Sequence, residues 1–318
     1  MDKKKIIIPT IVLLSLGVGF ISAKVIERIY PKPVNIFEQI ANENKNIKII
    51  SNQDSAFLIK PLTIEGNLVF AGEEVPLKDN EVKERLDREL QVNAYWHSNT
   101  ILSMKLSNRH FGEIERILLE EGVPADFKYL PLIESGFRDV VSPAGAAGFW
   151  QFLKGTAANY GLEVNGNVDE RYHIEKSTRA ACKYLKEAKA TLGSWTLAAA
   201  AYNCGVAGVQ QKMDQQKMSN YYDLLLNQET SRYVFRMLAM KIIYTNPKQA
   251  GFQIEPEELY QPYQYSTVVV DTSVSDLATF ALERGIKYKE LKMLNSWLRD
   301  TNLYNKTRKP YELKIVSL

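Results

Sequence analysis

The chain has 318 residues, 45% of them hydrophobic, with 40 Lys plus Arg against 37 Asp plus Glu. Length and apolar content suit one large domain or two smaller ones with a real core. Setting aside Lys3, Lys4, Lys5 and Asp2 leaves 37 basic against 36 acidic residues, so no concentrated basic stripe for nucleic acid is expected.

Lys3-Lys4-Lys5 precedes an uncharged apolar run, residues 6–23, of 18 residues. A charged stretch before an apolar one is the pattern of an export signal, and this one is long enough to span a bilayer. Ile21-Ser22-Ala23 is a poor cleavage site, and no cysteine nearby offers a lipid attachment point. Residues 1–29 therefore read as an N-terminal membrane anchor, favoured over a cleaved signal. The lysines stay in the cytoplasm and the rest is exported to the periplasmic side of a bacterial cell envelope.

Residues 30–78 read as a linker and extended lead-in, with short β-prone runs at residues 47–50 and at Leu68-Val69-Phe70. From Asn80 the pattern turns helical. Val82, Leu86, Leu90 and Val92 recur on one predicted face, and Ile114, Ile117, Leu118 and Leu119 on another. Gly122 and Pro124 stop that helix, and the next begins at Val123-Pro124-Ala125-Asp126. Thr178 to Leu192 is amphipathic and stops at Gly193, whereas Trp195 to Tyr202 is apolar all round and so is expected to be buried. Glu229 to Tyr244 supplies one more helix. Pro247 to Pro262, rich in proline and acidic residues, marks a boundary. A strand (Ser266–Val270), two helices (Val274–Ala281, Tyr288–Asn295) and a strand (Tyr311–Val316) follow. The fold class is mainly α with a small α+β domain at the C-terminus. The expected domains are residues 79–252 and 263–318.

Cys182 and Cys204 fall in predicted helices and read as buried thiols rather than a bridge. His97, His110 and His173 are scattered without zinc spacing, so neither metal nor cofactor is expected.

The chemistry concentrates in residues 134–151. Glu134 ends the apolar approach Leu130-Pro131-Leu132-Ile133, and Gly136 breaks the helix behind it. A carboxyl group in apolar surroundings has a raised pKa and can act as a general acid near neutral pH, as glycosidic cleavage requires. Val141-Ser142-Pro143-Ala144-Gly145 is a turn of small residues that lets backbone or substrate come close. No Lys-Ser or Lys-Thr follows Gly145 and Gly148, which excludes a phosphate loop. Gln151 carries an amide suited to sugar hydroxyls, and Phe149 and Trp150 offer rings for stacking. Tyr202 and Asn203 leave a buried helix and need polar partners.

Glu134-Ser135, Gly148-Phe149-Trp150-Gln151, Ala201-Tyr202-Asn203-Cys204-Gly205 and Glu229-Thr230-Ser231-Arg232-Tyr233-Val234 occur in the order of the family 1 lytic transglycosylases. Residues 73–252 resemble that family, whose catalytic domain is lysozyme-like, of the goose type. Phe149-Trp150 stands where Leu-Met is commoner, and Cys204 where Ala is frequent. The resemblance implies a substrate, the glycan strands of peptidoglycan, and a reaction. Glu134 protonates the oxygen between N-acetylmuramic acid and N-acetylglucosamine. It then takes the proton of the muramic C6 hydroxyl as that oxygen closes a 1,6-anhydro ring. It also implies that Ser135, Ser142, Trp150, Gln151, Tyr202, Asn203 and Tyr233 hold the sugar. One carboxylate suffices, because the substrate supplies its own nucleophile. A hydrolase needs a second one, for which Asp139 and Asp169 are the candidates.

Val270-Asp271-Thr272, Asp276 to Ala281 and Leu291 to Asn295 resemble a LysM module, with Val270 in place of the usual Gly and a final strand lacking its usual Pro. That implies a glycan tether that raises effective concentration; the alternative is a structural cap. Two other readings stand beside the transglycosylase: a muramidase on the same fold, and a non-catalytic glycan-binding protein of the envelope. A single candidate span disfavours a transporter.

Overall fold

A computed structural model describes residues 60–316 of the chain. The expected anchor at residues 6–23 and the β-prone run at 47–50 lie outside the described residues. Among the described residues no helix is long and apolar enough to cross a membrane.

Strands β1 (Leu68–Phe70) and β2 (Glu73–Val75) form an antiparallel hairpin in the predicted lead-in. Its two-residue turn, Ala71-Gly72, has positive φ at both positions, the mirror-image turn that suits the twist of a hairpin. The hairpin belongs to the first core: Phe70 and Val75 are buried there, and Ala71 N–H donates to Asp126 Oδ2 at 2.7 Å.

Helix α1 (Asn80–Tyr95) starts on Asp79, whose side chain accepts from the Glu81 N–H. Val82, Leu86 and Leu90 are buried, while Val92 is exposed, off the face they define. Helix α2 (His97–Glu120) buries Ile114, Ile117 and Leu118 and leaves Leu119 in water. A short 3-10 turn (Ala125–Lys128) leads into α3 (Tyr129–Ser135), and α4 (Lys154–Asn159) follows. Helix α5 (Ile174–Leu192) ends at the left-handed Gly193. Helix α6 (Trp195–Cys204) is buried from Thr196 to Ala201, as an all-apolar helix must be. Its N-terminus takes the Glu73 carboxylate, which accepts from the N–H groups of Trp195 and Thr196 at 2.5 and 2.9 Å. Helices α7 (Val206–Gln216) and α8 (Gln228–Thr245) complete the bundle, α8 lying between α1 and α6.

At the C-terminus β3 (Tyr265–Val270) pairs antiparallel with β4 (Tyr311–Val316), with Val270 opposite Tyr311. Helices α9 (Leu277–Leu282) and α10 (Tyr288–Leu294) lie between them in sequence. The second core holds Leu277, Leu291, Leu298, Leu303 and Leu313, and it also takes in Ala147, Val168 and Tyr172 from the helical region. Val168 bridges Leu298 as a β-pair; Asp169 N–H donates to Trp297 O at 2.8 Å, and Arg299 N–H to Asn167 O at 2.7 Å. The C-terminal domain is therefore docked through a shared core and backbone bonds. The connection between them is pinned too: Tyr260 N–H donates to Lys105 O at 3.2 Å, and Arg109 Nε to Gln261 O at 3.1 Å.

Candidate active site

The end of α3 places Glu134. Gly136 caps the helix in the left-handed conformation, and Phe137 follows with φ also positive, so the chain turns sharply just past the carboxyl. The Ser135 hydroxyl donates to Pro131 O at 3.1 Å and to Phe149 O at 3.0 Å, and accepts from Phe137 N–H. Ser135 is buried, with its hydroxyl spent on backbone. It fastens α3 to the following loop and is not available to a sugar.

Glu134 is half-buried and accepts the Tyr233 hydroxyl on Oε1. Its pKa is raised above the ordinary carboxyl range: burial raises it and the nearby Glu229 adds to that. The Tyr233 hydrogen bond and the Arg236 charge oppose the rise without cancelling it. Burial, followed by the neighbouring Glu134, pushes the Tyr233 and Tyr202 phenols well above their usual value, so both remain donors. The Tyr202 hydroxyl donates to Trp150 O at 2.8 Å, which ties α6 to the loop.

That loop, residues 141–152, is folded on itself. Val141 bridges Ala147, and Ala147 bridges Phe152. The Ser142 hydroxyl accepts from Ala146 N–H at 3.0 Å, closing the turn. Arg171 reaches across to Gly145 O at 2.9 Å and Phe152 O at 3.1 Å. Gly148 is where the loop touches the chain around Arg171: with φ of 75°, a Cβ there would lie 1.9 Å from Arg171 O. Gln151 has positive φ, and its amide donates to Val140 O at 3.1 Å and Gly148 O at 2.8 Å.

Trp150 is a correction. It is fully buried, and its indole N–H donates to Thr178 Oγ1 at 2.9 Å, so no ring face is left for a pyranose. Phe149 is also buried. The aromatic pair is core, which agrees with how such side chains behave when their polar atom has an internal partner.

Asn203 sits where α6 meets α8. Its Nδ2 donates to Glu229 at 3.0 Å, and its Oδ1 accepts from Thr230 Oγ1 at 2.7 Å. The structure thus brings Tyr233 and Tyr202 to Glu134, and Asn203 to the neighbouring Glu229, through α3, α6 and α8, whereas the Gln151 amide is spent on backbone carbonyls of Val140 and Gly148. Of the second-carboxylate candidates, Asp169 is bound to Arg171 at 2.7 Å and Asp139 is on the surface.

Glu229, Thr230 and Arg236 belong to this site but are not singled out by the sequence reading. Arg236 also donates to Ile133 O at 2.8 Å. Glu229, Tyr233 and Arg236 follow one another at four and three residues, one face of a helix, and that spacing was the available signal. Cys182 and Cys204 are free thiols, with burial raising the first to about 12. His173 packs near Trp297, and burial lowers it to about 4.

Residues 115–225 match the Transglycosylase SLT domain, and residues 266–317 match the soluble lytic transglycosylase C-terminal LysM-like domain. The chain is 28% identical over 252 residues to membrane-bound lytic murein transglycosylase D of Escherichia coli K12, and equally to that of the O6:H1 strain. Each alignment covers 75% of this chain and 54% of the relative, so the chain spans about half the length of the curated relatives it matches. A crystal structure of an inactive variant of the lytic transglycosylase Slt from Pseudomonas aeruginosa matches with a TM-score of 0.33 and 20% identity, over 48% of this chain and 26% of that one. By the two family models, residues 115–225 match an SLT-type transglycosylase domain and residues 266–317 a LysM-like C-terminal domain.

Proposed function

We propose that this protein is a peptidoglycan lytic transglycosylase, and that residues 79–252 form its catalytic part. The observation that carries this reading is Glu134: a half-buried carboxyl with raised pKa, held by a phenol that stays a donor. Protonated, Glu134 gives its proton to the bridging oxygen as the bond between that oxygen and the muramic anomeric carbon breaks. The carboxylate that remains accepts the proton of the C6 hydroxyl as that oxygen bonds the anomeric carbon. No water is consumed, and Glu134 ends protonated as it began. Tyr233 orients the carboxyl, while Gln151, Asn203 and Tyr202 fix the walls around it.

The chain works in the cell envelope, anchored through residues 1–29. Membrane attachment rests on the lysine-apolar pattern and on the membrane-bound relatives. Its partners are the glycan strands and the membrane, and nucleic acid is not among them.

A second reading, a muramidase that transfers to water, has one observation in its favour. Glu229 is an exposed carboxylate close enough to raise the Glu134 pKa. Mass spectrometry of peptidoglycan digested by the protein separates the two. Anhydromuramic ends, lighter by one water than reducing ends, are expected, and Glu134→Gln removes them. Reducing ends establish the hydrolase and give Glu229 the role of holding water. No product from the unsubstituted protein overturns both.

A further inference from the structure

One sizeable cavity among the described residues is not lined by Glu134. It is a cleft of about 1030 Å³ between the helical region and the LysM-like domain. Phe137, Asp139 and Arg109 line one side, and Lys289, Lys292 and Arg299 the other. Neither half alone makes it; the docking described above does.

Its charge is unbalanced. Two lining acids, Glu113 and Glu175, are already paired, with Lys314 at 3.3 Å and Arg179 at 2.9 Å. Arg109, Lys289, Lys292 and Arg299 have no carboxylate within salt-bridge distance among the described residues. Arg109 and Arg299 stand over the rings of Tyr263 and Tyr172, at 4.3 and 4.2 Å from their centroids, so stacking holds their guanidinium planes in place. Asp139 makes no hydrogen bond among the described residues, and Arg299 is the charge it faces. Arg109 and Lys289 without a carboxylate, Lys292 held on Leu298 O and Asp300 O, and Arg299 beside the Asp139 it faces fit a ligand with several carboxylates and an amine. That is a short peptide, not a plain polyphosphate or a neutral glycan.

The cleft also lies beside the catalytic residue. Asp139 is five residues past Glu134, so their Cα atoms are at most about 18 Å apart. The Gln151 amide holds Val140 O in the next residue. That span is within the length of a peptide of about six extended residues branching from a strand laid against Glu134.

We infer that the interdomain cleft binds the carboxylate-bearing peptide branches of the glycan strand and makes the docked LysM-like domain a specificity element. This rests on the transglycosylase reading. Two probes test it on the full chain: labelled strands with their stem peptides, and the same strands stripped by an amidase. Binding is measured in the Glu134→Gln background so that no cleavage intervenes. Peptide-bearing strands bind about tenfold tighter, as expected for two solvent-screened ion pairs. The preference falls toward one in the Lys289→Gln/Arg299→Gln double variant. Lys289→Glu alone reduces it as well, and since Lys289 is exposed on α10 this variant keeps the test open if the double variant fails to fold. Equal affinity for both probes, or a preference unchanged in both variants, overturns the inference while leaving cleavage intact. Failure of the unsubstituted chain to cleave either probe overturns the transglycosylase reading, and this one with it.

Discussion

Glu134 and Glu170 are both shielded glutamates in the same helical region, and their surroundings drive them in opposite directions. Glu134 meets a neutral phenol and a nearby carboxylate, and burial prevails: its pKa is raised. Glu170 is 2% exposed, and burial alone would raise it too. Its carboxylate, however, accepts the Glu163 N–H at 2.8 Å and contacts Lys176 at 2.6 Å and Lys309 at 3.2 Å, which together hold its pKa below the ordinary value. Burial raises both carboxyls, and the charges and donors around each decide whether that rise survives. The first arrangement favours the protonated carboxyl, and the second spends a carboxylate on joining two domains.

The largest effect that sharpens this contrast is Glu134→Gln. Cleavage is expected to fall by about 10²- to 10⁴-fold in a turnover assay. Stability should not fall with it. The raised pKa means the folded state favours the proton, so the group's contribution is full at low pH and is lost as pH rises through the folded value. An amide escapes that loss, so the variant is expected to unfold at an equal or higher urea concentration than the parent at neutral pH. Normal cleavage would remove Glu134 from the mechanism.

Gly148→Ala comes next. A Cβ 1.9 Å from the Arg171 carbonyl, at positive φ, is expected to cost about 3–5 kcal/mol in urea unfolding. Unchanged stability would mean that the loop does not press on the chain at Arg171.

Glu170→Gln attacks the other pole. It leaves Lys176 and Lys309 short of a buried counter-charge, at about 3 kcal/mol, the low end for a buried pair because both lysines reach solvent. Here the sign is reversed. A lowered pKa contributes stability that is full above the unfolded value of about 4.3 and is lost as pH falls through the folded one. The parent should therefore lose stability on acidification more steeply than the variant, and parallel curves would show that the network does not couple to folding.

Tyr233→Phe is the mildest. It removes the hydrogen bond that restrains the Glu134 pKa, so the alkaline limb of the pH–rate profile moves to higher pH as the maximal rate drops about tenfold. A lower rate with an unmoved limb would make Tyr233 a matter of packing alone.

Much of this was legible in the chain. Period and caps gave the helices, since apolar residues three and four apart have one way to hide. The order of four short motifs pointed to Glu134. What was not legible depended on contacts across long separations. Nothing near Trp150 announces Thr178 as its partner, so a core indole read as a sugar platform. Leu68-Val69-Phe70 looked like lead-in because its partners, Asp126 and Lys241, are far along the chain. The docking of the C-terminal domain rests on Asn167, Val168 and Asp169, which look like an ordinary loop until residues 297–299 come alongside.

The contact between Lys309 and Glu163 at 2.5 Å joins residues 146 positions apart. Contacts of that separation close late, because the intervening chain must be ordered before they form. The stretch from Glu163 to Arg171, which supports the loop at Gly148 and Phe152, therefore waits for a residue of the C-terminal domain. A chain stopped before Lys309 leaves Glu163 and Glu170 without that cation, and the loop at Gly148 loses a support that lies in the other domain.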